Sequence, residues 1–148
     1  MAERKASAEW KGNLMQGVGT MSLGSGAFEG KFSFNTRMGD EPGTNPEELI
    51  AAAPAGCFSM KLSFVLGAAG FTPSRIETTC TVTLEGGVIT GSHLEVRAKV
   101  PKLKAKDFPQ YAEDAKANCP VSKALGAISV TMDAQQVKTF KPKPEQPA

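Results

Sequence analysis

Residues 45–70 read NPEELIAAAPAGCFSMKLSFVLGAAG, and this stretch decides the fold. Asn45 can cap a helix, Pro46 suits the first helical position, and the acidic pair that follows favours the positive end of the helix dipole. Gly70 is typical of a position just past a helix end. The pattern therefore predicts one long helix that runs to about Ala69.

The predicted helix is apolar on all of its sides. After its first turn the polar side chains are only Ser59, Lys61 and Ser63. A helix without a polar face is typical of the centre of a fold, so burial on every side is expected. Pro54 lacks the backbone donor that the helix ladder needs, and it therefore predicts a kink or a break in the helix.

Short strands are predicted before this helix. Over residues 4–36 the sequence favours three antiparallel strands, with a hairpin turn at 10–14 and a break at 24–26. The third strand is expected over 28–34. The glycine-rich residues 35–44 are expected to form a loop that leads into the helix.

After the helix the sequence predicts a β-hairpin, two further helices and a last strand. Apolar and polar residues alternate over 76–85 and 88–100, on either side of a Gly-Gly turn. The later elements are expected over 107–117, 119–125 and 127–137. The order predicts an α+β fold in a single domain over 1–138, and the Pro- and Lys-rich residues 139–148 are expected to be a disordered tail.

Length and composition narrow the class of protein. At 148 residues the chain is close to one domain, and its 41% hydrophobic and 22% charged residues are typical of a globular protein. Seventeen basic against fifteen acidic residues give a net charge of +2, which disfavours a nucleic-acid binder or a polybasic membrane binder. No uninterrupted apolar run approaches about 18 residues, and no apolar stretch follows Arg4 and Lys5, so neither a membrane span nor an export signal is expected. The cytoplasm is the expected compartment.

Three cysteines and a single histidine limit the chemistry. Cys57, Cys80 and Cys119 form no CxxC motif, and an odd count without an export signal disfavours a disulfide framework. The ligand spacings of a zinc site are also missing, so no metal is expected. Cys80 alternates with apolar strand residues, which predicts a packing role, and His93 shares a face with charged side chains, which predicts a solvated residue. Any catalysis is therefore expected to use thiols without a histidine.

Cys57 and Cys119 are the candidate reactive thiols, and each has an ordinary alternative. Cys57 lies in the apolar helix and could be a small core residue. As a nucleophile it would need a nearby cation, or helix N–H groups freed by a break at Pro54. Cys119 precedes Pro120 at a predicted helix start, which favours a thiolate, but it could equally be an incidental neighbour of the cap.

Charged residues near the start of the helix are weaker candidates. Arg37 lies in the glycine-rich loop, where most arginines are simply solvated. Glu47 and Glu48 are more often helix-start residues than catalysts. On one straight helix Glu47 would lie roughly 15 Å from Cys57, so an arginine would have to bridge them or the acid would have to come from another copy of the chain.

Four blocks of sequence resemble the OsmC/Ohr family, and within it the OsmC (osmotically inducible protein C) branch. They are FNTR at 34–37, GTNPEELIAAA at 43–53, CFSM at 57–60 and ANCPVS at 117–122. The resemblance extends over nearly the whole chain. It implies an α+β, OsmC-like fold that forms an intertwined homodimer, with a central pair of helices wrapped by sheets.

The same resemblance implies a function. Members of the family are two-cysteine, peroxiredoxin-like peroxidases that reduce organic hydroperoxides, and in this branch often hydrogen peroxide. By resemblance Cys57 is the peroxidatic cysteine and Cys119 the resolving one. Arg37 stabilises the thiolate, and Glu47 holds the arginine, with Glu48 as the alternative. An external dithiol such as a lipoyl group is the implied reductant, and no cofactor is implied.

Two other functions fit parts of the pattern. A non-catalytic small-molecule binder or a structural dimer could share the fold and carry idle cysteines. A thiol–disulfide oxidoreductase that acts on proteins would also use two cysteines, but it normally carries a CxxC motif. Loss of two thiols on mixing with an alkyl hydroperoxide distinguishes the peroxidase from both.

Overall fold

A computed structural model describes residues 1–141 of the chain. The described chain forms two compact units, one over Met1–Ile50 and one that starts at Ala51. The predicted tail over 139–148 falls mostly on residues 142–148, which lie outside the described residues. Thr139, Phe140 and Lys141 are described and belong to no helix or strand. The Phe140 ring lies 4.3 Å from the guanidinium of Arg75.

The first unit is built on an antiparallel sheet, as predicted. Its strands are β1 (Ala6–Lys11), β2 (Val18–Leu23) and β3 (Glu29–Phe32), hydrogen-bonded in that order. Gly12 and Gly26 adopt positive φ angles of 99° and 78° in the two connections, a conformation that favours glycine. The third strand is shorter than the predicted 28–34.

A short helix stands where a loop was expected, so the prediction for 35–44 is wrong in part. Helix α1 spans Phe34–Met38 and contains Arg37. Ser33 starts it through a reciprocal cap, because the Thr36 N–H donates to the Ser33 hydroxyl and the Ser33 N–H donates to the Thr36 hydroxyl. A threonine replaces the usual glutamate or glutamine in this capping box, which hides the signal in the sequence.

The long helix forms as predicted. Helix α2 spans Pro46–Ala68, and the Asn45 side chain caps it by accepting the Glu48 N–H at 2.8 Å. Gly70 follows with a φ of 90°. The alternative of a break at Pro54 is wrong, since one helix continues through that residue. Only one donor is missing from the ladder, and the buried Pro54 packs with the helix face that faces the interior.

The expectation that α2 is buried on every side is wrong for the single chain. One face is buried, and its members recur every four residues: Pro54, Phe58, Leu62 and Leu66. The other face is exposed, with Met60 at 77% and Phe64 at 67% exposure. The apolar composition of a helix fixes how much of it is expected to be covered, but not which molecule covers it.

By length and composition alone, α2 could also cross a membrane. The sequence predicted no membrane span, because a few polar residues interrupt the apolar run. Those residues do not lower the mean hydropathy of the helix enough to exclude it. The core helix of a water-soluble protein meets the same criterion.

The second unit holds a mixed sheet. A long hairpin of β4 (Arg75–Glu85) and β5 (Val88–Lys99) turns at Gly86 and Gly87, as predicted. The last strand, β6 (Ser129–Gln136), pairs in parallel with β5. Two helices separate them, α3 (Phe108–Asn118) and α4 (Pro120–Ala124), both close to their predicted bounds.

The core of the second unit lies between α2, α3 and β5. Its buried members on these elements are Phe58, Leu62, Leu66, Leu94, Val96, Ala98, Phe108, Ala112 and Ala115. Cys80 packs against this core, as predicted, with its Sγ 3.2 Å from the Ser92 hydroxyl. Both α2 and α3 contribute to this one core, and the core positions the cysteines that those helices carry or adjoin.

Candidate functional site

Two of the candidate cysteines meet in the second unit. Cys57 lies on α2, and Cys119 lies between α3 and α4, where it forms the N-cap position of α4. Although 62 positions separate them in the sequence, their sulfur atoms lie 2.9 Å apart. Both are free thiols in hydrogen-bond contact. The arrangement can form a disulfide with a small movement of either side chain.

The two sulfurs differ in access. Cys119 is completely buried, at 0% exposure, whereas Cys57 is half-buried. A molecule that enters from solvent therefore reaches the sulfur of Cys57 first. Cys119 is placed to react with Cys57 and not with solvent.

The proton affinities of the pair are shifted in opposite directions. Burial raises the pKa of Cys57, as does its contact with Cys119, whereas the backbone N–H of Val121 and the charge of Lys61 lower it less. Burial also opposes ionisation of Cys119, but the Cys57 thiol, the backbone N–H groups of Ser122 and Val121 and the neighbouring Ser122 hydroxyl favour the thiolate and lower the pKa of Cys119 overall. The pair therefore gives up its first proton more readily than its second.

Lys61 is a cation near Cys57 that the sequence reasoning missed. It follows Cys57 by four positions on α2, so the two side chains are neighbours on the helix surface. Its Nζ lies 4.9 Å from the centre of the Phe64 ring. The spacing of four from a candidate nucleophile, on a helix already predicted, could have identified it.

Replacing Lys61 by methionine is expected to slow alkylation of Cys57 at pH 7 by about twofold. A charge pair at this helical spacing contributes about 0.3–0.5 kcal/mol, and the lost charge leaves more of the thiol protonated. Iodoacetamide reaction across pH, in a Cys80→Ser, Cys119→Ser background, measures this. Lys61→Arg is the matched control and should behave as the parent. Identical pH profiles for the methionine and arginine variants would contradict the role of the charge.

The other two candidates meet in the first unit. The Nε of Arg37, on α1, donates to both carboxylate oxygens of Glu47 at 3.1 Å, and its Nη2 donates to one of them at 2.6 Å. Glu47 is buried in the first turn of α2. Glu48 instead accepts a hydrogen bond from the Thr44 hydroxyl at 2.9 Å. Of the two acids, Glu47 is thus the one that holds Arg37.

This ion pair shifts both groups towards their charged forms. The hydrogen bond from Arg37 lowers the pKa of Glu47 against the opposing effect of burial. The same bond raises the pKa of Arg37. Both groups stay charged at neutral pH, and the fork of hydrogen bonds fixes the orientation of the guanidinium.

Glu47→Gln is expected to flatten the loss of stability in acid. Because the folded state has the lower Glu47 pKa, the contribution is complete above the ordinary value of about 4.3 and is lost as the pH falls through the folded pKa. Partly exposed charge-assisted bonds of this kind contribute about 1–2 kcal/mol. Urea unfolding at pH 7 and pH 3 measures it. The stability gap between parent and variant should shrink at pH 3, and an unchanged gap would contradict the ion pair.

The four candidates thus form two pairs, one in each compact unit. Their catalytic roles remain predictions. His93 makes contacts on the sheet of the second unit, with its Nε2 3.2 Å from a carboxylate oxygen of Asp133. Within residues 1–141, no group of three or more His, Cys, Asp or Glu side chains is placed to hold a metal ion.

Comparison with known proteins decides the family. The family model described as OsmC-like protein matches residues 39–133. The chain belongs to the OsmC family. Peroxiredoxin OsmC of Escherichia coli (strain K12) is 47% identical over 137 residues, which cover 89% of this chain and 95% of that protein. Organic hydroperoxide resistance protein-like 1 of Staphylococcus epidermidis is 34% identical, over 69% of this chain and 76% of that protein.

Solved structures agree with the OsmC-like fold. An OsmC-like protein from Mycoplasma pneumoniae superposes with a TM-score of 0.71 at 12% identity, and covers 92% of this chain and 98% of its own. An organic hydroperoxide resistance protein from Elizabethkingia anophelis gives a TM-score of 0.70 at 24% identity, with coverage of 92% and 99%. These comparisons confirm three predictions for this OsmC family member: its family, its α+β fold and its assignment to the peroxidases.

Proposed function

We propose that this OsmC family member is a two-cysteine, thiol-dependent peroxidase that reduces organic hydroperoxides and hydrogen peroxide. One observation carries the proposal, the 2.9 Å contact between the sulfur of the half-buried Cys57 and the sulfur of the fully buried Cys119. The names of the relatives, a peroxiredoxin and organic hydroperoxide resistance proteins, support the same reaction.

Cys57 is the peroxidatic residue in this scheme. Its thiolate attacks the terminal oxygen of the hydroperoxide, an S–O bond forms, and the O–O bond breaks. The leaving alkoxide takes up a proton and departs as the alcohol, while Cys57 becomes a sulfenic acid. Cys57 takes this role because it is the partly exposed residue of the pair, whereas Cys119 is fully buried.

Arg37 supplies the positive charge that the thiolate needs. Burial raises the pKa of Cys57 and Lys61 lowers it only in part, so a further cation has to stabilise the anion. A guanidinium is always charged, and its several donors suit both a thiolate and a developing alkoxide. Glu47 acts as a positioning residue, because it holds Arg37 in a fixed orientation through three hydrogen-bond contacts.

Cys119 is the resolving residue. Its thiolate attacks the sulfenic sulfur of Cys57, a disulfide bond forms, and hydroxide leaves and is protonated to water. An external dithiol then reduces the disulfide by thiol–disulfide exchange, and a lipoyl group is one chemical form of such a reductant. Two thiols carry both electrons, so the scheme uses no cofactor.

A second copy of the chain is proposed to cover the exposed face of α2. That face combines large apolar side chains, Met60 and Phe64, with small residues at Ala53, Gly56 and Gly67. Small residues let a second helix approach closely, and exposed apolar side chains of this size favour association. The proposed assembly is a homodimer that buries α2 against its copy.

Light scattering of the purified protein tests the dimer. The expected mass is twice the 15.6 kDa of one chain. Phe64→Glu should give the mass of one chain, because a charge would be buried in the interface without a partner. Lys106→Glu, on the 3-10 turn Ala105–Asp107, is the control and should remain a dimer. A parent protein with the mass of one chain would contradict the assembly.

The cytoplasm is the proposed compartment, since a thiol pair of this kind has to be returned to its reduced state by cellular dithiols. Subcellular fractionation of the native host tests this, and recovery in a secreted fraction would contradict it.

Counting free thiols tests the proposed reaction. Reduced protein carries three thiols, and one equivalent of tert-butyl hydroperoxide should leave one of them after seconds of reaction. The dithiol-treated product should regain all three. A thiol count that stays at three would overturn the peroxidase and would favour a non-catalytic protein of the same fold.

A further inference from the structure

The hydroxyl of Ser122 is a buried polar group without an evident role. The residue is 8% exposed, and its Oγ is fully buried and makes no hydrogen bond within residues 1–141. Buried hydroxyls are hydrogen-bonded as a rule, so one without a partner calls for an explanation. One explanation is that the hydroxyl donates a hydrogen bond only when a neighbouring group becomes negatively charged during a reaction.

Ser122 is positioned beside the resolving cysteine by local geometry. Cys119 is the N-cap of α4, and Ser122 is the third residue of that helix. A side chain at this position reaches back towards the N-cap residue, as in a capping box. The turn is fixed because the Lys123 N–H donates to the Cys119 carbonyl at 3.0 Å.

We propose that Ser122 is a positioning residue for the second chemical step, in which its hydroxyl donates a hydrogen bond to the Cys119 thiolate. This rests on the proposed peroxidase function. The hydroxyl keeps its own proton and is neither oxidised nor modified. It holds the negatively charged sulfur in line with the sulfenic sulfur of Cys57 until the disulfide forms and hydroxide leaves.

The need for this donor arises after the first step. In the reduced pair, the Cys57 thiol is the leading group that favours ionisation of Cys119. Once Cys57 is a sulfenic acid, its S–H donor has been consumed. The donors that the first turn of α4 still offers Cys119 are then the backbone N–H groups of Val121 and Ser122 and the Ser122 hydroxyl.

The first step should not depend on Ser122. The groups that shift the pKa of Cys57 are its own burial, Cys119, the Val121 backbone and Lys61. Ser122 is not among them. A variant at this position therefore separates the two steps of the reaction.

Ser122→Ala is the test, read by rapid quenching after one equivalent of tert-butyl hydroperoxide. Mass spectrometry with a dione that traps sulfenic acid follows Cys57 oxidation and disulfide formation separately. Oxidation of Cys57 should keep its rate within about twofold, whereas disulfide formation should slow roughly tenfold, as expected for one lost bond to a charged group. Its pH profile should move to higher pH. Ser122→Thr keeps the hydroxyl and should restore most of the rate.

The melting temperature of Ser122→Ala distinguishes a role of Ser122 in the reaction from a role in folding. Because the hydroxyl has no partner within the described residues, its removal should leave the melting temperature unchanged. Disulfide formation at the parent rate and with the parent pH profile would overturn the proposal.

A second measurement stands independently of peroxide. In a Cys57→Ala, Cys80→Ala background, thiolate absorbance at 240 nm reports ionisation of Cys119 alone. Ser122→Ala should move that titration to higher pH, and coincident titrations would overturn the role of Ser122. If the parent protein forms no sulfenic acid at all, the proposed function fails while this titration still decides on Ser122.

Discussion

Cys57→Ser is expected to abolish peroxide-dependent loss of thiols, with a fall in rate on the order of a thousandfold or more. A serine hydroxyl is not ionised at neutral pH and does not form the sulfenic intermediate. The measurement is the thiol count after addition of one equivalent of tert-butyl hydroperoxide. Cys80→Ser is the matched control, because Cys80 packs against the core and should be removable without loss of the reaction.

Cys119→Ser should fail at the next step instead. Cys57 should still be oxidised, but its sulfenic acid has no partner sulfur at 2.9 Å and should accumulate. Trapping with a dione should then label Cys57, and further peroxide should drive it to the sulfinic acid. A Cys119→Ser protein that still forms an intramolecular disulfide at the parent rate would contradict the pairing.

Arg37→Met is expected to lower the second-order rate constant with peroxide by about a hundredfold, since loss of one preorganised charge at a reacting centre typically has an effect of this order. Burial already raises the pKa of the half-buried Cys57. Without the main cation assigned to it, its alkylation should also need higher pH. Arg37→Lys should keep part of the rate, because it keeps the charge but not the fork of donors. The twofold effect expected for Lys61→Met is the comparison for a charge that neighbours Cys57 on α2.

The slower reaction of Arg37→Met with peroxide could also result from misfolding, and the same experiment tests this. Arg37→Met leaves the buried Glu47 carboxylate without its partner, which could destabilise the first unit. Combining it with Glu47→Gln removes the unpaired charge. The double variant should regain stability and remain slow, whereas recovery of the rate would show that Arg37 acts only through folding.

Local signals in the sequence predicted most of the elements. Helix α2 begins where Asn45 and Pro46 placed it, because capping and the fixed φ of proline act within one turn. The hairpin of β4 and β5 follows from strict alternation around Gly86 and Gly87. Helix α1 was missed because its cap uses a threonine, and the surroundings of α2 were misjudged because composition does not reveal what covers a face.

The site depends on contacts that no local pattern encodes. Cys57 and Cys119 lie 62 positions apart, and only the tertiary fold, with the core that α2 and α3 share, brings their sulfurs together. The resemblance to a family suggested the pair, whereas residue chemistry alone left each cysteine with an ordinary alternative. Ser122 escaped notice because burial of a hydroxyl is a property of the folded chain.

The identity of the bond formed in one turnover tests the central claim most directly. Reduced protein is treated with one equivalent of tert-butyl hydroperoxide, alkylated, digested and mapped by mass spectrometry. The expected result is a single disulfide that joins the peptides of Cys57 and Cys119, with Cys80 recovered as an alkylated thiol. A disulfide that includes Cys80, or recovery of all three cysteines as alkylated thiols, would contradict it.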